Sequence, residues 1–422
     1  MSLLDKASLI VTPNSYKENI LYSVVPNTTL GDMDVVRATT ATRVNSAGLI
    51  ESVGNNIPRI DYTNGSCPSL LVEPQRTNIV TYSEDFTNAS WVKTATITAN
   101  TTIAPDGNLS ADTFTDSTSA FLDVRKVLTI TANSTNTASF FVKKTTGALT
   151  NYAGVAILLT GVSTRVDYGI INTTTGAVIR DSSSNINSIT YSTQSYGDYW
   201  RVITTFTDNQ SNLVCTFILY PAISTNGTSI NSNAQGSNIF WGAQLEAGAN
   251  ATSYIPTVAS TVTRNADLIS KTGISSLIGQ SEGVFYWEGK FLSNSLEVEG
   301  ISINDGTISN RVVIFKWTSS LNLIKIRINV NSTTQAEIDF TVPNIMNNNK
   351  VLIKYKPNEC SLFVNGSLIN TDNTVITFPE GTLNKFAFEG GNGSNRFNGC
   401  VNSIQLYKTA LTDEECIALT TL

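Results

Sequence analysis

The segment SLEVEG places Glu297 and Glu299 two residues apart, a spacing that turns both carboxylates to the same side of an extended strand. Two such groups can divide glycoside hydrolysis between them, one as nucleophile and the other as general acid. A pair of acids on a solvent-facing strand is the alternative reading. Hydrolytic chemistry is left to carboxylates because the chain has no histidine. Ser-His-Asp triads, Cys-His pairs and His-ligated metals all need imidazole. The expectation is that the chain is not an enzyme and holds no catalytic residue, with Glu297 and Glu299 as the alternative.

Sugar recognition by β-proteins rests on aromatic faces that stack on sugar rings and on amides or carboxylates that bond hydroxyls. The aromatic candidates are Trp91, Tyr199, Trp200, Trp241, Trp287 and Trp317. Trp91 and Trp241 are expected in the core, and one of the adjacent pair Tyr199 and Trp200 must face inward. Loop tyrosines such as Tyr152 and Tyr196 are better placed for ligand. The candidate glycan contacts are therefore Tyr152, Tyr196, Trp287 and Trp317.

These residues need strands to hold them. Over 422 residues, charged side chains make up only 14% against 41% hydrophobic, so Asn, Ser and Thr must cover much of the surface. With 27 Gly and 11 Pro, that mixture points to an all-β protein rich in turns. The net charge of −6 and the lack of any Lys/Arg stripe argue against nucleic-acid binding. No apolar run reaches the length of a membrane span, and the start of the chain does not read as a signal peptide. The five cysteines are scattered without a C-x-x-C pair and are expected to be free thiols.

Four regions follow from the pattern. Residues 1–80 contain short apolar pieces that cannot close a core alone and are expected to form an irregular anchoring segment. Residues 81–262 alternate as strands in TASFFVKK, YAGVAILLT, TRVDYGIIN, YWRVITTF, LVCTFILYPA and SNIFWGAQLE, with a Gly-centred turn in TTTGAV. Residues 263–282 lose the strand signal and are expected to be a linker. Residues 283–422 resume it, with the hairpin signal FVNGSLI and a capping box from Thr412 to Glu415 before a short helix.

Three stretches carry a resemblance. LLVEPQRTNIVTYSEDFTNASW, DYWRVITTF and FWGAQLEAGANATSYIPT resemble, in order, segments of a carbohydrate-binding-module-like jelly roll found in tail and fibre proteins of tailed bacteriophages. DVVRATTATRVNSAGLIE is similar to N-terminal regions of the same class of virion proteins. KVLIKYKPNECSLFVNGSLI and FNGCVNSIQLYKTALTDEECIAL resemble the laminin-G-like and concanavalin-A-like lectin and glucanase sandwiches. The glucanase branch has a third acid near its carboxylate pair, and residues 298 and 300–302 supply none. Within LLVEPQRTNIVTYSEDFTNASW, Glu73 and Arg76 are read as a structural tie, with TYSEDF beginning the first strand of the jelly roll.

The resemblance implies tandem β-sandwiches, a jelly roll followed by a concanavalin-A-like or laminin-G-like sandwich. It further implies a bacteriophage fibre or appendage, located in the virion and made in the host bacterial cytoplasm, that adheres to host-surface glycans. Its partners would be those glycans and other virion proteins held through the N-terminal segment, in a homotrimer. Modules of this kind often hold a structural Ca²⁺, for which Asp85, Glu246 and Asp305 are the candidates, with turn capping as the alternative. Two rival functions remain: a purely structural capsid, tail or head-fibre decoration protein, and a polysaccharide depolymerase using Glu297 and Glu299.

Overall fold

The computed structural model describes residues 2–63, 65, 67–147, 151–375 and 377–422. The fold is all-β, and the chain forms two compact units. One comprises Ala41–Ser52 and Arg76–Arg264; the other comprises Met1–Thr40, Val53–Gln75 and Asn265–Leu422.

The first of these is a jelly-roll sandwich of two six-stranded antiparallel sheets. One sheet runs in the order Thr96–Ile103, Leu109–Asp116, Gly236–Ala247, Thr135–Lys143, Tyr199–Thr207, Ser188–Tyr196. Its partner runs Val178–Arg180, Arg165–Ile171, Tyr152–Thr160, Val214–Ser224, Val124–Thr129, Val92–Lys93. The strict alternation of these strands sends Val155, Ile157, Phe217 and Leu219 inward against Phe140, Val202, Phe240 and Leu245. Trp91 and Trp241 are buried as expected, and so is Tyr199, while Trp200 lies half-buried against the core. The TTTGAV turn closes the hairpin between Arg165–Ile171 and Val178–Arg180, with Gly176 at φ +79°.

The second unit is a sandwich built from one continuous hydrogen-bonded ribbon, in which the strands Gly283–Phe291, Glu299–Asn304, Arg311–Lys316, Leu323–Val330, Asn349–Lys356 and Gly399–Tyr407 supply most of the core. Asn365 and Gly366 hold φ of 49° and 83° at the tight turn between Glu359–Val364 and Ser367–Asp372, the backbone that an Asn-Gly hairpin provides. Thr412 and Glu415 form the expected capping box at the start of helix Asp413–Thr420.

The N-terminal region differs from the expectation of an irregular segment. Strand Leu9–Lys17 pairs with Ile20–Val25 and with Gly399–Tyr407, and Ser69–Val72 pairs with Gly399–Tyr407 as well. Leu9, Val11, Leu21, Met33, Val35, Leu70 and Val72 sit in the same core as Phe285, Trp287 and Ile404. The apolar pieces that cannot close a core alone complete the core of the C-terminal sandwich. The stretch expected to be a linker is also structured: Leu268–Thr272 joins the ribbon between Met33–Val36 and Lys385–Ala387, and Ile269, Ile274 and Ile278 are buried.

One local reading is corrected. TYSEDF does not begin a strand; residues 81–86 form bends and turns. Glu73 pairs with Arg59 at 2.6 Å, and Arg59 and Arg37 both reach Asp267, so four charges are sealed together inside the second unit. Arg76 faces Glu246 at 4.0 Å in the first unit. Burial alone would lower the pKa of Arg59, but the charges of Asp267 and Glu73 hold it above its ordinary value. Compensated charge of this kind persists in a core because each guanidinium meets carboxylate or carbonyl oxygens.

Candidate functional site

The outer face of the sheet containing Tyr152–Thr160 offers the features of a ligand surface. Register places Tyr168, Ala156, Ile218 and Arg125 side by side across four strands, so their side chains share one face. Alternation explains this: Val155, Ile157, Phe217 and Leu219 face the core, leaving Ala156 and Ile218 on the opposite side. Ala156, Ile170, Ile218, Tyr220 and Ile223 are buried together in one apolar cluster on this face. Tyr220 meets two rings, Phe121 at 6.3 Å edge-on and Tyr168 at 6.5 Å tilted. Phe121 is 40% exposed and Val127 is 59% exposed, so the accessible apolar surface lies at the rim of this cluster.

One end of the face is walled. The register between Tyr152–Thr160 and Val214–Ser224 slips at Gly154, pushing Ile223 over the position that a Cβ on residue 154 would fill. The turn beyond is tied down where the Ile230 N–H donates to Asp181 at 3.0 Å. Burial and the Asp181 charge raise the Tyr168 pKa, while hydrogen bonds from Ser183 outweigh burial and lower that of Asp181.

The other rim carries Asp123 and Arg125. The Asp123 side chain is 9% exposed, and one oxygen lies 3.5 Å from the Arg125 guanidinium. The second oxygen is sealed from solvent without a hydrogen-bond partner. Burial therefore raises the Asp123 pKa, and the partly exposed Arg125 only opposes it. The Asp123 charge also acts on the Tyr220 hydroxyl, whose pKa rises from burial first and Asp123 second. An exposed aromatic ring beside a carboxylate and a guanidinium can hold a hydroxylated ring at this rim, stacking its apolar face and bonding its hydroxyls.

The residues singled out from the sequence lie elsewhere, with one exception. Tyr152 is half-buried and packs against the same cluster as Ala156, Ile218 and Tyr220, under Gly227. Tyr196 is half-buried and meets Phe141 edge-on at 5.3 Å. Trp287 is 0% exposed between Phe291 and Phe397 and offers no face to a ligand. Trp317 is half-buried, with Lys325 and Arg327 each 5.1 Å from its ring.

The calcium candidates do not converge. Asp85 caps a turn through Thr87, and Asp305 does so through Thr307 and Asn310, whose bonds outweigh burial and lower its pKa. Glu246 is fully buried and accepts from Gln244 at 2.6 Å and from the Thr252 N–H and hydroxyl at 2.8 and 2.6 Å. Among the described residues no group of three His, Cys, Asp or Glu side chains is arranged to hold a metal ion.

Nor do Glu297 and Glu299 share a strand face. Glu297 is exposed and precedes the strand Glu299–Asn304. Glu299 is buried and receives Lys316 Nζ at 2.6 Å. Its pKa is pushed up to about 7 because burial outweighs Lys316. A cleft of about 570 Å³ beside helix Asp413–Thr420 is polar, but its charges are mutually paired, Lys354 with Glu359 at 2.6 Å and Lys356 with Glu359 at 2.8 Å.

Sequence reasoning missed Tyr168, Tyr220, Phe121, Asp123 and Arg125. The available signal was the small pair Gly154 and Ala156 inside a strand whose alternate residues are large, together with Tyr168 and Tyr220 in the neighbouring strands.

No curated protein matches the sequence. Among solved structures, the Ruminococcus gnavus IT-sialidase CBM40 bound to α2,3-sialyllactose is 20% identical, with 36% of this chain and 91% of that chain covered and a TM-score of 0.30. Domain 4 of AbnA, a GH43 extracellular arabinanase from Geobacillus stearothermophilus in complex with arabinotriose, is 12% identical over 41% of this chain and 84% of that chain, with a TM-score of 0.31. A heptameric SAP-like pentraxin from Limulus polyphemus is 12% identical over 34% and 70%, with a TM-score of 0.29. Residues 295–416 match the family model of the concanavalin A-like lectin/glucanases superfamily, and with the strand order described above they form a concanavalin A-like sandwich.

Proposed function

We propose that this chain is a glycan-binding protein whose ligand lies at the exposed aromatic rim of the jelly roll. The observation that carries the reading is the exposed Phe121 ring at the edge of the Tyr220 cluster, beside the Asp123–Arg125 pair. Phe121 offers the ring for stacking, and the Asp123 oxygen that faces Arg125 accepts a hydroxyl. Two carboxylates, Asp123 and Asp181, flank the face, which favours an uncharged sugar there. The lectin superfamily match of residues 295–416 supports the same class of partner.

The wider setting is proposed as adhesion by a bacteriophage fibre or appendage, acting in the virion on host-surface glycans. The ordered resemblance of residues 70–91, 198–206 and 240–257 to phage tail and fibre proteins supports it. Several copies held together, as in a homotrimer, would turn weak single-site sugar contacts into useful avidity. The commitment of Glu299 to Lys316 favours binding without glycan cleavage.

The test is a bacterial glycan array probed with the whole chain and with the Phe121→Ala and Tyr168→Ala variants. Saturable binding by the whole chain that both variants lose supports the proposal. Binding that both variants keep, or none by an artificially multimerised chain, refutes the face.

A further inference from the structure

The concanavalin A-like sandwich contains a cation that its own fold does not neutralise. Arg311 opens the strand Arg311–Lys316 and is only 6% exposed. Its Nε donates to Asn329 Oδ1 at 3.1 Å, one terminal nitrogen donates to the carbonyl of Gly390, and its guanidinium lies 5.3 Å from the Phe315 ring. Among the described residues no carboxylate comes within ion-pair distance of it. The other terminal nitrogen has no protein acceptor and is not among the sealed atoms, so it remains open to solvent.

The remaining buried arginines of this unit are treated differently. Arg37 and Arg59 meet Asp267 and Glu73. Arg327, the nearest other guanidinium, is occupied by Glu337 through Nε at 2.6 Å. Burial, and then the charge of Arg327, hold the Arg311 pKa down to about 10, the sign of a cation short of negative charge. Leaving a guanidinium in this state costs stability unless a ligand supplies the missing oxygens.

We propose that Arg311 is an anion-binding residue that takes the carboxylate or sulfate of an acidic saccharide. The saccharide part rests on the glycan-binding reading; the anion part rests on Arg311 alone. Asn329 and Thr334 lie beside it with amide and hydroxyl groups. Alternation puts Arg311, Val313 and Phe315 on one face, and Val313 and Phe315 are buried, so the ligand meets Arg311 at the end of the strand. The site differs in charge from the jelly-roll face, which is flanked by carboxylates.

The experiment titrates the whole chain with an oligogalacturonate, a sulfated oligosaccharide, their uncharged counterpart and inorganic sulfate, following the arginine Nε–Hε resonances by NMR and affinity by calorimetry. The expected result is a shift of the Arg311 resonance by either acidic saccharide, at least tenfold tighter binding than the uncharged counterpart, and weakening as salt rises. Arg311→Met should lose that tenfold preference. An unmoved Arg311 resonance in the unaltered protein, or no preference for acid, overturns the inference without recourse to any variant. Inorganic sulfate binding as tightly as the saccharides overturns the saccharide assignment. Binding lost in Phe121→Ala but retained in Arg311→Met sinks this site and leaves the jelly-roll reading standing; the reverse pattern sinks the jelly-roll reading alone.

Discussion

Asp123 and Arg125 face each other across 3.5 Å at the rim of the cluster around Tyr220, and the carboxylate keeps its second oxygen sealed and unbonded. A surface ion pair contributes little, so this contact does not compensate the burial of Asp123. The oxygen that faces Arg125 is the one a sugar hydroxyl can reach.

Replacing Asp123 by Asn should therefore separate binding from stability. Loss of a charge-assisted hydrogen bond of about 1.5–3 kcal/mol predicts roughly 10- to 100-fold weaker glycan binding. The same change removes an under-bonded buried charge, so the melting temperature should hold or rise. Calorimetry and thermal unfolding check the two halves; a lower melting temperature with unchanged affinity would make Asp123 purely structural.

Acid has a defined effect on two other carboxylates. Burial pushes Asp112 up to about 6 and Glu299 up to about 7. A raised folded-state pKa means that the folded chain holds the proton more tightly, so the stability from these groups is full below the ordinary carboxylate range. It is lost as pH rises through about 6 for Asp112 and about 7 for Glu299. Denaturant unfolding across that range should show Asp112→Asn and Glu299→Gln each declining less steeply with pH than the unaltered protein. Parallel slopes would contradict this assignment.

The quartet of Arg37, Arg59, Glu73 and Asp267 predicts a large single-site effect. Asp267→Asn strips the shared carboxylate from two sealed arginines and should destabilise the second unit by about 3–5 kcal/mol. Hydrogen exchange at Leu268–Thr272 and Met33–Val36 reads the loss locally. Protection there equal to that of the unaltered chain would show that the quartet contributes no net stability.

Deletion of residues 1–40 should unfold the concanavalin A-like sandwich, because Leu9, Val11, Leu21, Met33 and Val35 belong to its core. Near-ultraviolet circular dichroism checks it. A truncated chain with a native spectrum would mean that these strands are dispensable to that core.

Much of the fold was legible from alternation alone. YAGVAILLT and YWRVITTF coincide with the strands Tyr152–Thr160 and Tyr199–Thr207, Asn365-Gly366 makes its hairpin, and Thr412 caps its helix. What the sequence could not convey is pairing between distant segments. SLIVT and SLLVEP read as fragments because their partner, Gly399–Tyr407, lies more than 300 residues away. The site was hidden for a similar reason. Tyr168, Ala156, Ile218 and Arg125 become neighbours only through register, and Trp287 looks like a ligand platform until the core closes around it.

The central claim is most directly tested by a crystal structure of the whole chain soaked with the tightest neutral saccharide found on the array. The account predicts a sugar ring against Phe121, with a hydroxyl within about 3 Å of the Asp123 oxygen that faces Arg125 and Arg125 turned toward the ligand. A saccharide bound elsewhere, with Asp123 still unbonded, would contradict it.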